Sequence, residues 1–366
     1  MSSNDFEAAR LLVRLGAVEA NFRACRRLAG PAAVAAVVKA DAYGLGMAQI
    51  AQRLARTGCD TFFVARLEEG IALRAVAPQS RIFVLDGAPP DAVPALIRHA
   101  LTPVLNSLAD IAAWGAAAEA IRSELDAAIH FDTGMNRLGL SPEDLSLLAA
   151  EHAGRLAGLR VVLWVSHLAC ADDPQAAMNR VQLERFRSGL AMLPAAPASF
   201  SSSGGILLGR DYAFDMVRPG LGLYGGNPQP LRPNPFKNVA ELTGRILQLR
   251  RIAVDETVGY GATFRARRPT LLATAALGYK DGLMRALTAK GFGAIGGVRV
   301  PVAGRVSMDL ITLDVTDVPV EHLAPGVPVE FLGDTITLEE IAAACGTASY
   351  EILTSLSRRA ARHFED

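Results

Sequence analysis

Cysteine is scarce in this 366-residue chain: only Cys25, Cys59, Cys170 and Cys345 occur, widely separated. Neither the paired spacing of a zinc site nor the density of a disulfide framework is present, and reduced thiols suit a cytosolic protein. Charge of either sign is not in excess, because 37 Lys and Arg balance 37 Asp and Glu. A nucleic-acid or anionic-membrane partner needs concentrated positive charge. The pairs Arg250-Arg251 and Arg358-Arg359 are too short to provide it and read as solvated faces. No apolar run approaches the roughly 18 residues from which a spanning helix is read. The opening Met1-Ser2-Ser3-Asn4-Asp5 has no basic stretch leading into an apolar one, so no signal peptide is expected. These absences point to a soluble, cytoplasmic protein, without a metal, whose partner is a small molecule.

What is present is apolar material: 51% of the residues are hydrophobic, ample for a large core. Short apolar runs near 33–38, 61–64, 81–85, 101–104, 126–131, 159–165, 197–201 and 216–223 alternate with amphipathic stretches such as 47–57 and 175–192. Near-continuous apolar strands separated by helices mark a parallel sheet covered on both faces. Eight such strands predict a (β/α)8 barrel of the TIM type, with a doubly wound open sheet as the alternative. The segment 225–238, GGNPQPLRPNPFKN, with four prolines and two glycines, breaks the pattern and reads as an interdomain linker. Beyond it, 241–253, 270–278, 298–303 and 309–315 read as strands without long helices between them, with one helix near 338–345. The expected division is a barrel over 1–236 and a smaller, mostly β C-terminal domain over 237–366. The run Arg10–Arg14, together with the first ~12 residues, is expected to join the later sheet.

The most informative segment is VVKADAYGLG at 37–46. It puts Lys39 at the end of the first barrel strand, on the face where barrels gather their active sites. A partly desolvated lysine there favours the neutral amine that a Schiff base needs. A lone lysine ending a strand is more often an ordinary surface residue, so the surrounding motifs must decide. DTGMNRLG at 132–139 follows the fifth strand, SHLACAD at 166–172 the sixth, and Ser203-Gly204-Gly205 the seventh. RPGLGLYG at 218–225 lies on and after the eighth. VGYG at 258–261, Gly278-Tyr279, GRVSMD at 304–309 and Tyr350 follow in the later domain.

In this order and over nearly the whole chain, these motifs resemble the alanine racemase family. The resemblance implies a pyridoxal-phosphate enzyme that interconverts L- and D-alanine through an aldimine on Lys39. Racemisation removes a proton from one face and returns it to the other, so two bases must flank the α-carbon. By resemblance these are Lys39 for the D-alanine face and Tyr260 for the L-alanine face, with His167 beside the tyrosine. Arg218 resembles the arginine that meets the pyridine nitrogen; a guanidinium holds its own proton and leaves that nitrogen unprotonated. Ser203, the amides of Gly205, Gly220 and Leu221, and the hydroxyls of Tyr43 and Tyr350 are implied as a phosphate cradle. Arg137 and the Met308 backbone are implied to orient the substrate carboxylate and the cofactor's phenolic oxygen. The family further implies a head-to-tail homodimer with Tyr260 and Met308 contributed across the interface, and D-alanine supply for peptidoglycan or D-alanine breakdown as the role.

Four positions depart from the commonest family pattern. His130 replaces a lysine that buttresses the arginine at 137, so another support such as a chloride ion is expected. Leu283 is read as replacing a tyrosine that narrows the entryway, which points to a wider channel. Ser202 stands where asparagine is usual, and Ser199 where some members have a histidine. Leu283 keeps a broad-specificity amino-acid racemase of the same fold as the alternative function. A barrel decarboxylase of basic amino acids fits SHLACAD and GRVSMD less well, and a non-enzymatic pyridoxal-phosphate carrier lacks the later domain.

Overall fold

The computed structural model describes residues 7–366. The strand β1 (Ala9–Arg14) is followed by the helix Leu15–Ala29 and then by a parallel barrel. Its staves begin with β2 (Ala33–Val34) and β3 (Ala36–Val37), one run interrupted at Ala35. They continue with β4 (Thr61–Val64), β5 (Arg81–Val84), β6 (Thr102–Leu105) and β7 (Leu125–His130), then β8 (Leu159–Val165), β9 (Ala198–Ser199) and β10 (Met216–Val217). The nine strands pair in the order β2-β10-β9-β8-β7-β6-β5-β4-β3. Ala33 pairs with Met216 on one side and Ala36 with Phe62 on the other, so one run forms both ends of the path and the sheet closes. The barrel, rather than the open sheet, is what the eight apolar runs build.

All four residues of β4 are buried, as expected of a strand covered on both faces. Inside, Phe63 and Phe83 stack at 4.6 Å; outside, Phe186 of the helix Ala177–Ala191 stacks on Phe131 and Phe200. The helix Met47–Arg56 buries Met47, Ile50, Ala51 and Leu54, the spacing of one helical face. Among the described residues, no helix is long and apolar enough to cross a membrane.

Residues 226–238 form neither helix nor strand, yet they are pinned. The buried Asn21 donates to Lys237 O and Leu223 O and accepts from Lys237 N. Beyond this segment lies a second sheet built on β11 (Ala240–Ile252). A small hairpin, β12 (Thr257–Val258) with β13 (Phe264–Arg265), precedes β14 (Thr270–Ala275). β15 (Phe292–Ile295), β16 (Val298–Pro301), β17 (Ile311–Asp314), β18 (Pro328–Leu332) and β19 (Ala361–Glu365) complete it. β1 pairs antiparallel with β11 and parallel with β19, so Arg10–Arg14 joins this sheet as expected. Residues 1–6, grouped with that run in the sequence reading, lie outside the described residues. The expected helix is found at Leu338–Cys345; β15, β18, β19 and the helix Ser349–Ser355 were not anticipated.

Candidate active site

The C-terminal ends of the staves open into a cavity of about 760 Å³ lined by Lys39, Tyr43, Arg137, His167, Ser203, Arg218, Gly220, Leu221 and Tyr350. Nine of the twelve residues singled out in the sequence therefore converge on one space. Gly205 lies one step behind the wall, where a Cβ would come within 2.5 Å of Ser201 Oγ.

Lys39 is followed by a left-handed turn. Ala40, Asp41, Ala42 and Tyr43 have φ between 52° and 56°, and Gly44 has φ 86°. Each non-glycine residue in this region costs roughly 1–2 kcal/mol, so the turn forms only because its surroundings hold it. Glu69 Oε1 accepts from Ala40 N at 2.6 Å, Gly46 N donates to Asp41 O, and Asp41 Oδ1 accepts from Met47 N at 2.8 Å. The turn brings the Tyr43 ring 4.8 Å from Tyr224 and 6.0 Å from Tyr350. The Tyr224 hydroxyl in turn donates to Val37 O, fixing the end of the lysine strand. Burial first, and then the Arg137 charge, lower the Lys39 pKa, against the opposing pull of Glu69 and Asp86.

Arg218 is the deepest cation, 5% exposed. It donates to Ser199 Oγ and to Ser166 O at 2.7 Å, and lies 3.4 Å from His167 Nδ1. Ser199, flagged as a departure, therefore touches the arginine directly. Among the described residues Arg218 has no carboxylate partner, and burial lowers its pKa to about 10. Burial, then Arg218, also lowers His167 to about 3 and His130 to about 4. Arg137 and Arg218 give the cavity, whose wall also carries Asp86 and Glu351, two guanidiniums suited to an anionic ligand. Near its other end Ser203 Oγ accepts from the amides of Gly220 and Gly222 at 3.0 Å. A Cβ at Gly220 would meet Tyr43 Oη at 2.3 Å, so glycine leaves backbone and hydroxyl together on this wall. Ser202 lines the same wall.

His130 Nδ1 pairs with Asn106 Oδ1 at 2.9 Å. Among the described residues no side chain hydrogen-bonds or ion-pairs with Arg137, which is exposed at the mouth. Asn106, Asp86 and Glu69 were missed in the sequence. Each follows a barrel strand, and that position on the catalytic face was the signal available.

Tyr260 and Met308 are not in this cavity. They are 72% and 52% exposed and stand on neighbouring loops of the second sheet, where a Cβ at Gly304 would meet Val258 O at 2.8 Å. His167 and Tyr260, grouped by resemblance, are thus separate within one chain. Leu283 is 5% exposed and packs into the core, and it does not line the barrel cavity of its own chain. The exposed member of that motif is Tyr279, whose amide donates to Ser307 O beside Met308.

Residues 13–228 match the family model described as alanine racemase, N-terminal domain, and residues 239–364 the one described as alanine racemase, C-terminal domain. An alanine racemase of Methylobacterium nodulans is 45% identical, covering 100% of this chain and 98% of that protein. A catabolic alanine racemase of Agrobacterium fabrum is 46% identical, covering 97% and 91%. Among solved structures, the alanine racemase of Bartonella henselae with covalently bound pyridoxal phosphate superposes with a TM-score of 0.94 at 38% identity. The match covers 98% of this chain and 99% of that one.

Proposed function

The chain belongs to the alanine racemase family, and from that membership we propose that Lys39 and Tyr260 are its two proton carriers. The activity is the interconversion of L- and D-alanine, and the cofactor is pyridoxal phosphate. When bound, pyridoxal phosphate supplies an electron sink for the carbanion left by the departing α-proton. The observation that carries the reading is the cavity that Lys39, its amine pKa lowered by burial, shares with a buried Arg218 that has no carboxylate partner among the described residues. Lys39 would hold the cofactor, and Arg218, fixed by Ser199 and Ser166, would donate to its ring nitrogen. Ser203, the amides of Gly205, Gly220 and Leu221, and the hydroxyls of Tyr43 and Tyr350 would hold its phosphate.

Once free, the Lys39 amine takes or returns the proton on the D-alanine face. Tyr260 of the partner subunit does so on the L-alanine face, with His167 beside it, and Arg137 and the Met308 backbone orient the substrate carboxylate and the cofactor's phenolic oxygen. The exposure of Tyr260 and Met308 on one chain supports a homodimer whose sites are each completed by the other subunit, and its free cysteines suit the cytoplasm. We draw the domain boundary between 236 and 237, within the pinned linker. D-Alanine so formed enters peptidoglycan or is degraded; the chemistry serves either role.

The test is chiral analysis after incubating the loaded enzyme separately with L-alanine, L-serine and L-lysine. Selective conversion of L-alanine towards an equal mixture is expected, and comparable conversion of all three would establish a broad-specificity racemase instead. Lys39→Ala should lose the visible absorbance of bound cofactor. Tyr260→Phe should lose exchange starting from L-alanine more than from D-alanine, and equal losses would end the two-base assignment.

A further inference from the structure

Arg359, which the sequence suggests is one of a solvated pair, is instead the centre of a three-way tie. Its Nε and Nη2 donate to Asp281 Oδ1 and Oδ2, both at 2.6 Å, in a fork-to-fork pair. Its remaining Nη1 donates to Asp309 Oδ1. Asp281 is only 3% exposed and has a second duty, accepting from Gly278 N at 2.8 Å. The two carboxylates belong to two loops. One is 278–283, which carries Tyr279; the other is 304–310, which carries Met308.

The two loops are stitched by backbone bonds from Tyr279 N to Ser307 O and from Lys280 N to Met308 O, both 3.0 Å. A Cβ at Gly278 would fall 2.3 Å from Met308 O, so the loops touch backbone to backbone there. The segment bearing Arg359 lies against the first loop. Ser357 N donates to Asp281 O, and Ser355 Oγ donates to Gly282 O at 3.0 Å. A single planar cation thus locks the register of the loop that presents the Met308 amide.

We infer that Arg359 is a positioning residue for substrate binding, holding the Met308 loop in place by bridging Asp281 and Asp309. The inference rests on the reading of Met308 and Tyr260 given above. Arg359 touches neither cavity nor substrate, so its effect passes through the loop. Loosening the tie weakens grip on the substrate carboxylate first, because the Tyr260 loop meets 304–310 at its other end, at Gly304 and Arg305. Loss of such uniform binding raises KM and spares kcat. Lysine does not replace arginine here, because one ammonium cannot span both carboxylates with directed bonds.

The experiment compares Asp309→Asn, Arg359→Lys and Arg359→Met holoenzymes with the unmutated holoenzyme. The readouts are racemisation kinetics with L-alanine, inhibition by propionate (a ligand with the carboxylate but no amine), cofactor absorbance and thermal melting. Tyr260→Phe is measured alongside. Asp309→Asn removes the carboxylate charge from an exposed side chain and weakens the Arg359 bond to it, but keeps the buried Asp281–Arg359 pair, so folding is retained even if Arg359→Met unfolds. The expected result for Asp309→Asn and Arg359→Lys is a rise of about tenfold in both KM and the propionate inhibition constant, with kcat within about twofold. Cofactor absorbance stays unchanged. Unchanged KM and propionate inhibition in both variants, or a fall in kcat alone, overturns the inference. If that happens while Tyr260→Phe is impaired, the reading of the site stands and only the tie is refuted. A fully active Tyr260→Phe defeats both.

Discussion

His130 and His167 lie in the cation-rich mouth of the barrel, where burial and the Arg218 charge hold them neutral far below the ordinary histidine range. In the unfolded chain each takes up a proton below about pH 6.5; in the fold they do so only near 4 and 3. Between pH 6.5 and 4 the unfolded state therefore binds more protons, and stability falls as the pH falls. At pH 5 the loss is about 2 kcal/mol per histidine, since one pKa unit is worth about 1.4 kcal/mol. Urea unfolding at pH 7 and pH 5 should show it. His130→Asn should lose about half of this pH dependence, and an undiminished dependence would mean that His130 is already solvated in the fold. Burial acting on Lys39 likewise favours the free amine that its proposed role requires.

The left-handed turn 40–43 is an element that local preference opposes and packing imposes. Glu69 caps its start, Arg362 donates to Gly44 O, and Arg358 pairs with Asp41. Gly44 is the tightest joint, because a Cβ there would lie 2.6 Å from Leu353 O with φ at 86°. Gly44→Ala should destabilise the protein by roughly 2–4 kcal/mol, and cofactor occupancy should fall because the turn orients Lys39 and Tyr43. Denaturant melts with and without added pyridoxal phosphate would measure both; an unperturbed variant would show that the turn tolerates displacement. Element by element, the barrel staves were legible because each is an apolar run ended by a turn. Three strands of the second sheet were not. β18 begins with proline, β15 contains glycine, and β19 (ARHFE) is polar enough to read as a tail. Only pairing with Arg10–Arg14 makes the last of these a strand.

At the scale of the whole molecule, one chain keeps the two sets of proposed site residues apart. Lys39 and its cradle face the barrel mouth, whereas Tyr260, Met308 and Tyr279 are exposed on the second sheet. If two subunits exchange these halves, inactive variants complement each other. Lys39→Ala and Tyr260→Phe proteins, unfolded together and refolded, should regain up to about a quarter of normal activity. Half the dimers are mixed, and one site in each mixed dimer has both residues intact. No recovery in mixed dimers, isolated by differently tagged chains, would place Tyr260 and Lys39 of one chain in the same site.

By itself the sequence determined the family and the barrel. The lysine motif, the strand-end position of each cluster and the run of eight apolar strands are local properties, readable wherever residue type and spacing carry the information. It also marked Ser199 and His130 as departures, without saying what they touch. Tertiary structure alone decided those contacts: Ser199 on Arg218, and His130 on Asn106. It decided as well that Leu283 is core and Tyr279 rim, and that Arg359 closes on a carboxylate 78 positions earlier in the chain. Burial and long-range pairing depend on where distant segments pack, and no local pattern of residue types encodes that.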